Sequence, residues 1–301
     1  MLTAQAYGIV PPQHTGPDIP GVTSPALQMV DTVPAWLEEY KLSHRPESHA
    51  LMKHTLEEFQ KWVKKRTIAT ITRVDVLRFK QHLLDKGRSM RTASNKCLRI
   101  NQFIRSVLKL DPGKGLITVK DMKFTEQEVS VFNDDEWKAF FEHCDGYRLA
   151  IFKTYLMAGL RKAELENLMW EDVDFTAGII RVTPKKDWQP KTWEARDIEV
   201  PDELLVILKV LPRRGKLVFA NSEGHKYTHS WDDCNAIAKK AKVNGAHPYK
   251  FRATFATRTL QHADIKTVQK LLGHHDIEST MRYLGKAESK KVREKVNAVW
   301  A

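Results

Sequence analysis

Cysteine and long apolar runs are scarce in this 301-residue sequence, and each shortage excludes a class of protein. No stretch approaches the roughly 18 to 20 uninterrupted apolar residues of a membrane-spanning helix, which excludes a membrane-embedded fold. The three cysteines, Cys97, Cys144 and Cys234, are far apart and odd in number, so we expect no disulfide scaffold and a reducing, cytoplasmic setting. His225 and His229 are close in sequence, but no nearby acid or cysteine completes a ligand set, and no metal site is predicted.

Positive charge is what the sequence has in excess, and it is concentrated in one segment. The chain carries 49 Lys and Arg against 37 Asp and Glu. The segment from Lys61 to Lys123 holds 17 basic and 4 acidic residues, whereas the rest of the chain holds 32 and 33 and is nearly neutral. This one-sided placement favours a surface that binds nucleic-acid phosphates over the alternative, a basic face that is merely solvated.

The length and the 42% content of hydrophobic residues are enough for two domains with their own cores. Residues 1–32 are rich in proline, and the first 30 contain no Lys or Arg, which predicts a flexible arm and no signal peptide. Residues 33–110 have apolar residues at helical spacing and are predicted to form a helical DNA-binding domain. Helix breakers then predict a linker at 111–126, and residues 127–301 form the second domain.

Two threonines in the helical domain stand at predicted helix starts. Thr72 is predicted to cap one helix and Thr92 the next. The helix after Thr92 carries Lys96, Arg99 and Arg105 on its polar side, and these three are the predicted DNA contacts of this domain.

The fold class predicted for the chain is mainly α-helical with one small antiparallel β-sheet, and the sheet belongs to the second domain. Asn133 with Glu136 three residues later predicts a capped helix start, and the next helix is predicted to stop at Gly159. Extended runs at 179–182 and 197–201 predict two strands joined by a polar, proline-containing excursion. After the strands the helical period returns.

Four short blocks of the second domain carry residues suited to chemistry on phosphate. In chain order they are Gly-Leu-Arg at 159–161, Pro-Lys-Thr at 190–192, Tyr-Lys-Phe-Arg at 249–252, and Leu-Leu-Gly-His at 271–274 with Tyr283 nine residues after the His. In this order and spacing they resemble the tyrosine recombinase (phage integrase) family, whose catalytic domain carries an Arg, a Lys, a His-x-x-Arg box, Leu-Leu-Gly-His and a nucleophilic Tyr. The basic helical domain is similar to the family's core-binding domain, so the resemblance covers about residues 33–285.

One block departs from the family pattern. Where the family usually has the first His of the His-x-x-Arg box, this sequence has Tyr249, with His247 two residues earlier. Ala253 follows Arg252 where many members have a second His. Because family members vary at the first of these positions, Tyr249 is assigned to the catalytic set in the place of that His.

The resemblance implies roles that agree with the chemistry of a phosphodiester. Attack on DNA builds negative charge, which Arg161 and Arg252 would bind with their planar guanidinium groups. Tyr283 would be the nucleophile, and its phenol would form a phosphotyrosine that stores the bond energy for rejoining.

The remaining predicted catalytic residues handle protons. His274 would donate a hydrogen bond to the phosphate or help to move protons, and Tyr249 would assist the nucleophile. Lys191 would protonate the departing 5′ oxygen. Lys185 and Lys186, at the other end of the same connection, are alternatives to Lys191.

The resemblance implies a site-specific recombinase or integrase that cuts and rejoins double-stranded DNA through a 3′-phosphotyrosine, without a metal or other cofactor. It also implies a tetramer on DNA and leaves a role for accessory DNA-bending factors open. Residues 287–301 are expected to form a short helix that docks on a neighbouring protomer or on the chain itself. Two alternative functions remain: a type IB topoisomerase-like enzyme, and a catalytically silent DNA-binding protein on the same scaffold.

Overall fold

The computed structural model describes residues 27–65, 67–111, 115–124, 128–191 and 194–284. These residues divide into two compact units, one on each side of the boundary between residues 126 and 127. The predicted arm up to residue 26 and the helix predicted at 287–301 lie outside the described residues. None of the described helices is long and apolar enough to cross a membrane.

The described part of the first unit contains four α-helices: α1 (Met29–Ser43), α2 (Pro46–Val63), α3 (Arg73–Asp85) and α4 (Met90–Val107). Their apolar faces share a core in which Phe59, Phe79 and Phe103 are fully buried. α1 begins inside the stretch that sequence analysis assigned to the flexible arm, because Met29 and Val33 pack into this core.

The two threonine caps predicted for α3 and α4 had different outcomes. Thr72 caps α3: its hydroxyl accepts a bond from the backbone N–H of Asp75, whose carboxylate accepts one from the N–H of Thr72. The prediction for Thr92 was wrong, since α4 begins at Met90 and the hydroxyl of Ser89 accepts the bond from the N–H of Thr92. Ser89 offers the same kind of capping oxygen three positions earlier.

α4 is the central helix of the first unit. It packs on α2, on α3 and on a 3₁₀ turn at Lys120–Met122. The side-chain amide of Asn101 in α4 donates to the carbonyl of Ile117 at 3.1 Å and accepts from its N–H at 3.3 Å. Residues 115–124, which were predicted to be part of a linker, are therefore packed on the first unit.

The described α-helices of the second unit are α5 (Asp134–Glu142), α6 (Gly146–Ala158), α7 (Lys162–Glu166), α8 (Asp202–Lys209), α9 (Ser230–Lys240), α10 (Pro248–Thr259), α11 (Ile265–Leu272) and α12 (Glu278–Met281). Asn133 and Glu136 form the predicted capping box of α5. α6 ends at Gly159, as predicted, with a φ of 59°. A Cβ at Gly159 would lie 2.4 Å from the ring of Phe255, so both the left-handed backbone and the close approach require glycine.

A three-stranded antiparallel sheet lies between α7 and α8, in the order β1 (Val173–Asp174), β2 (Ile179–Val182) and β3 (Arg196–Glu199). Ile180 of β2 stands opposite Val173 on one side and Ile198 on the other, and all three belong to the core of the second unit. The predicted fold class, mainly α with one small antiparallel sheet, is confirmed. β1 is too short for its alternation to be recognised in the sequence.

Candidate active site

The second unit contains an open cavity of about 540 Å³. All six residues that sequence analysis assigned to catalysis line it: Arg161, Lys191, Tyr249, Arg252, His274 and Tyr283. Four further residues, His275, Asp276, Ser279 and Arg282, line it as well. The fold thus brings together side chains from segments that are far apart in the sequence.

Arg252, in α10, is the most buried of the six and is only 2% exposed. Its guanidinium donates to the backbone carbonyl of Gly159 at 2.5 Å and to that of Leu272 at 2.6 Å. These carbonyls lie at the C-terminal ends of α6 and α11, where the helix dipoles are negative. Burial, together with the charge of Arg161, lowers the pKa of Arg252 to about 9, so the side chain keeps its charge at neutral pH.

Arg161, directly before α7, is held by a buried carboxylate. Its Nη1 donates to Oε1 of Glu164 at 2.7 Å, and its Nη2 donates to the carbonyl of Gly273 at 2.7 Å. Glu164 is 3% exposed and also accepts two bonds from Arg196, at 3.0 and 2.7 Å. Nη1 of Arg252 lies 3.9 Å from the same carboxylate. Three arginines therefore surround one glutamate.

This buried cluster has a net positive charge, because three guanidinium groups face a single carboxylate. Burial alone would raise the pKa of Glu164, but the hydrogen bond to Arg196 and the charges of the three arginines lower it to about 2. Glu164 therefore remains ionised at physiological pH. An anion that enters the cavity meets positive charge that the protein only partly compensates.

Sequence analysis did not assign Glu164 or Arg196 to the site. Glu164 carried a local signal, since it stands three residues after Arg161 at the spacing of a capping box, and its carboxylate does accept a bond from the N–H of Arg161 at 2.8 Å. Arg196 carried none. It reaches the cluster because β3 lies beside α11, where its Nε donates to the carbonyl of Leu271 at 2.8 Å.

Tyr283 and His274 lie side by side at the cavity. Their rings stack at an interplanar angle of 16°, with centroids 6.3 Å apart. Tyr283 also packs against a small apolar cluster of α10 and α11. Burial and the charges of Arg252 and Arg161 lower the pKa of His274 to about 4, so its ring is neutral at pH 7.

Of the three lysines considered for the connection between β2 and β3, Lys191 lines the cavity. Lys185 instead forms an ion pair with Asp172 and donates to the hydroxyl of Thr183 at 2.8 Å. Lys186 is exposed. The geometry favours Lys191, because the ammonium of Lys185 already has a carboxylate partner.

Tyr249 lies in the first turn of α10 and is 55% exposed. This exposure argues against a role in packing the core. His247, the neighbouring candidate, is the N-cap of α10: its Nδ1 accepts from the backbone N–H of Lys250 at 3.2 Å, and its ring stacks on Trp231. His247 therefore has a structural role as the cap of α10.

The basic residues assigned to DNA contact in the first unit differ in exposure. Lys96 is only 8% exposed and forms an ion pair with Glu58 of α2. Its placement on the polar side of α4 is corrected, because α4 packs on α2 along this side. Arg99 and Arg105 are half-buried.

The described part of the chain contains neither a cluster of metal-binding side chains nor a disulfide. No three His, Cys, Asp or Glu side chains there are grouped so that they could hold a metal ion. Cys97, Cys144 and Cys234 are free thiols, and burial raises the pKa of each to about 12. The functional groups of the cavity are guanidinium, ammonium, imidazole, phenol, hydroxyl and carboxylate groups.

Comparison with known proteins identifies the family of this chain. The model of the phage integrase family matches residues 118–290, more than half of the chain. The protein belongs to the phage integrase family. Its predicted place among the tyrosine recombinases, enzymes that cut and rejoin DNA, is confirmed.

Two relatives of this integrase-family protein are bacterial recombinases. Tyrosine recombinase XerC of Oceanobacillus iheyensis is 28% identical over 234 residues, which cover 72% of this chain and 77% of the relative. Tyrosine recombinase XerD of Staphylococcus aureus is 27% identical over 261 residues, which cover 76% of this chain and 84% of the relative.

Solved integrase structures share the fold. The Tn1549 transposon integrase in complex with transposon right end DNA superposes with a TM-score of 0.77 at 17% identity, covering 91% of this chain and 100% of that one. A lambda integrase tetramer bound to a Holliday junction gives a TM-score of 0.65 at 12% identity, covering 86% of this chain and 78% of that one.

Proposed function

We propose that this protein is a site-specific recombinase whose cavity receives one DNA phosphodiester and transfers it to Tyr283. The observation that carries the proposal is the convergence of the six assigned residues on one cavity that is backed by a buried, positively charged cluster. A phosphodiester is anionic and gains further charge in the transition state. Preorganised guanidinium groups in a site of low dielectric stabilise that charge better than water does.

In the proposed reaction, Arg161 and Arg252 bind the non-bridging oxygens of the phosphate. The phenol oxygen of Tyr283 bonds to phosphorus, the bond from phosphorus to the 5′ oxygen breaks, and the 3′ phosphate stays on the tyrosine. Lys191 protonates the departing 5′ oxygen, and the phenol proton leaves to water in the open cavity with the assistance of Tyr249. His274, which lies beside Arg252 at the same cavity, is a further contact of the bound phosphate.

The proposal extends to the partners. We assign double-stranded DNA as the substrate and a tetramer as the active assembly, supported by the shared fold with lambda integrase, which forms a tetramer on a Holliday junction. In the first unit, Arg99 and Arg105 are the proposed phosphate contacts. Transfer of the cleaved strand to a second duplex is the step that separates a recombinase from an enzyme of the type IB topoisomerase kind.

Replacement of Tyr283 by Phe tests the nucleophile. Tyr283→Phe should abolish covalent attachment to DNA and change DNA affinity less than about twofold, because one hydroxyl carries the nucleophile but little of the binding energy. The probe is a pool of nicked duplexes with a randomised centre, from which covalent complexes are isolated after denaturation and sequenced.

Tyr227→Phe, outside the cavity, is the matched control and should attach to DNA like the wild type. Undiminished attachment by Tyr283→Phe would assign the nucleophile to another residue. Addition of a second duplex with a free 5′ hydroxyl then shows whether the trapped strand is transferred.

Tyr249 is tested by the rank order of two variants. If its hydroxyl assists the reaction, Tyr249→Phe should slow single-turnover cleavage by roughly 10- to 1,000-fold, and Tyr249→His should keep or raise the rate. If the ring only provides apolar contact, Phe should be silent and His should be the more damaging change. The second order would remove Tyr249 from the catalytic set.

A further inference from the structure

Arg196, the first residue of β3, is 7% exposed, and its guanidinium group connects two elements of the second unit. Nη1 and Nη2 donate to the two carboxylate oxygens of Glu164 at 3.0 and 2.7 Å, and Nε donates to the carbonyl of Leu271 at 2.8 Å. The contact with Glu164 is bidentate, which is the strongest arrangement of an arginine and a carboxylate.

Three arginines bind three consecutive carbonyls at the end of α11. Arg196, Arg252 and Arg161 donate, in this order, to the carbonyls of residues 271–273. Arg161 and Arg252 line the active-site cavity, whereas Arg196 lines a neighbouring cavity of about 480 Å³. Arg196 thus shares the partners of the two arginines proposed to bind phosphate, but its side chain lies outside their cavity.

The buried charge of Glu164 opposes the binding of a phosphate. With Arg196 in place, three guanidinium groups face this one carboxylate, and without Arg196 only Arg161 and Arg252 would remain. Glu164 would then balance one of the two positive charges that the cavity offers to an anion. Charges interact strongly at a buried site, so this loss would be felt by the phosphate.

The pKa of Glu164 shows which arginine is its main partner. Burial raises this pKa, and the hydrogen bond and the charge of Arg196 are the largest of the influences that lower it. The charges of Arg161 and Arg252 have smaller effects. The principal partner of the carboxylate is therefore the arginine that lies outside the active-site cavity.

We propose that Arg196 is a positioning residue that balances the charge of Glu164 from outside the active-site cavity, so that Arg161 and Arg252 keep their positive charge available for the phosphate. This inference rests on the proposed function. Glu164 can then orient Arg161 without neutralising it, through bonds from Nη1 at 2.7 Å and from the backbone N–H at 2.8 Å.

The test is whether the effect of Arg196 depends on the charge of Glu164. Arg196→Met should slow single-turnover cleavage of the nicked duplexes at pH 7 by about 10- to 100-fold, and it should change DNA affinity less than about threefold. In a Glu164→Gln background there is no carboxylate charge to balance, so Arg196→Met should lower the rate less than about threefold. A role limited to packing, or to the carbonyl of Leu271, would cost the same in both backgrounds.

Two further variants show whether charge or folding is responsible, with urea unfolding measured for each. Arg196→Lys keeps the charge and should stay within about fivefold of the wild-type rate, and it provides the measurement if Arg196→Met does not fold. Arg181→Met is the matched control in the same sheet. Arg181 is partly exposed and pairs with Asp174 at 2.8 Å, so its loss should not change the rate.

Affinity for inorganic phosphate gives the same comparison without DNA. Binding to the full chain is followed by the side-chain signals of ¹⁵N-labelled arginine, and loss of a signal in Arg161→Lys assigns Arg161. Arg196→Met should weaken phosphate binding about 3- to 10-fold. In the Glu164→Gln background the change should be less than about twofold.

Four results would overturn the proposal: equal losses in both backgrounds, an unchanged rate in Arg196→Met, a folded Arg196→Lys slowed more than about fivefold, or no saturable phosphate binding by the wild type. A wild type that binds phosphate in the expected pattern but forms no covalent complex through Tyr283 would instead contradict the proposed function. A failure of one is therefore distinguishable from a failure of the other.

Discussion

The second unit gathers side chains that are far apart in the sequence, whereas in the first unit side chains that are neighbours in the sequence differ in exposure. Six described α-helices and a sheet lie between Arg161 and Tyr283 in the chain, yet both residues line one cavity. Lys96 and Arg99 lie on adjacent turns of α4, yet Lys96 is buried against Glu58 and Arg99 is half-buried. Basic residues selected from the sequence thus meet at one cavity in the second unit and differ in exposure in the first.

The difference shows which sequence patterns identify a site. The motif blocks are tied to places where a helix stops, such as Gly159 and Gly273, and both glycines have a left-handed backbone that fixes the path of the chain. A stripe of polar residues on a helix predicts only the direction in which those side chains point around the helix axis. It does not say how many neighbours the helix has, and α4 packs on α2, on α3 and on a 3₁₀ turn.

The largest expected effect concerns Arg252, one of the residues that meet at the cavity of the second unit. Arg252→Lys should lower the single-turnover cleavage rate by about 100- to 1,000-fold, because one ammonium cannot bind the carbonyls of Gly159 and Leu272 and a phosphate together. DNA affinity and the unfolding temperature are measured in parallel. The control is Arg258→Lys on the same helix, where an exposed arginine pairs with Asp134 and where the rate should not change. Equal losses in both variants would contradict the assignment.

A smaller effect is expected for Arg99 and Arg105, the half-buried basic residues of the first unit. Replacing Arg99 and Arg105 together by Gln should reduce the slope of log affinity against log salt by up to about 1.8, if each contacts one phosphate. Affinity for a non-specific duplex, titrated over a range of salt, provides the measurement.

Lys96→Met is the matched control for this pair. Its salt slope should equal that of the wild type, while its free energy of unfolding in urea should fall by about 1 to 2 kcal/mol, because Glu58 loses its partner. A reduced slope in Lys96→Met would show that Lys96 reaches DNA despite its burial.

The smallest expected effect is a loss of stability in acid, in which the two units should differ. The pKa of His274 is about 4 when folded, below its ordinary value of 6.5, so the unfolded chain binds the proton first. The stability that neutral His274 contributes is therefore complete above about pH 6.5 and is lost as the pH falls toward 4. In the first unit, burial would raise the pKa of Asp75, but bonds from Lys65 and Thr72 lower it to about 2, so its contribution is lost only below this window.

The measurement is the urea unfolding of wild type and His274→Gln at pH 7 and at about pH 5. The wild type should lose on the order of 1 kcal/mol more than the variant, after allowance for solvent screening of a partly exposed ring. Equal losses would mean that His274 is not held neutral by its surroundings.

Local features of the fold could be predicted from the sequence, because their causes lie within a few residues. Thr72 with Asp75 and Asn133 with Glu136 cap their helices as expected, and Gly159 stops α6. The motif spacing likewise identified six of the ten residues that line the cavity. In both cases the deciding interactions are contained in the pattern itself.

The features that could not be predicted depend on partners elsewhere in the chain. Lys96 is buried and not exposed because it pairs with a carboxylate on α2. Arg196 joins the site because β3 lies beside α11. No local spacing links Arg196 to Glu164 in the sequence. Only the fold determines which of many charged residues meet.

The use of backbone carbonyls to hold Arg161 and Arg252 has a consequence for how this site can vary in evolution. A side-chain partner can be lost by one substitution, but the carbonyls of Gly159, Leu272 and Gly273 are present whatever residue is encoded there. The vulnerable positions are instead those where a side chain cannot be added: a Cβ at Gly273 would lie 2.9 Å from the guanidinium of Arg196. We therefore expect related sequences to vary the side chains around the arginines more freely than they vary Gly159 and Gly273.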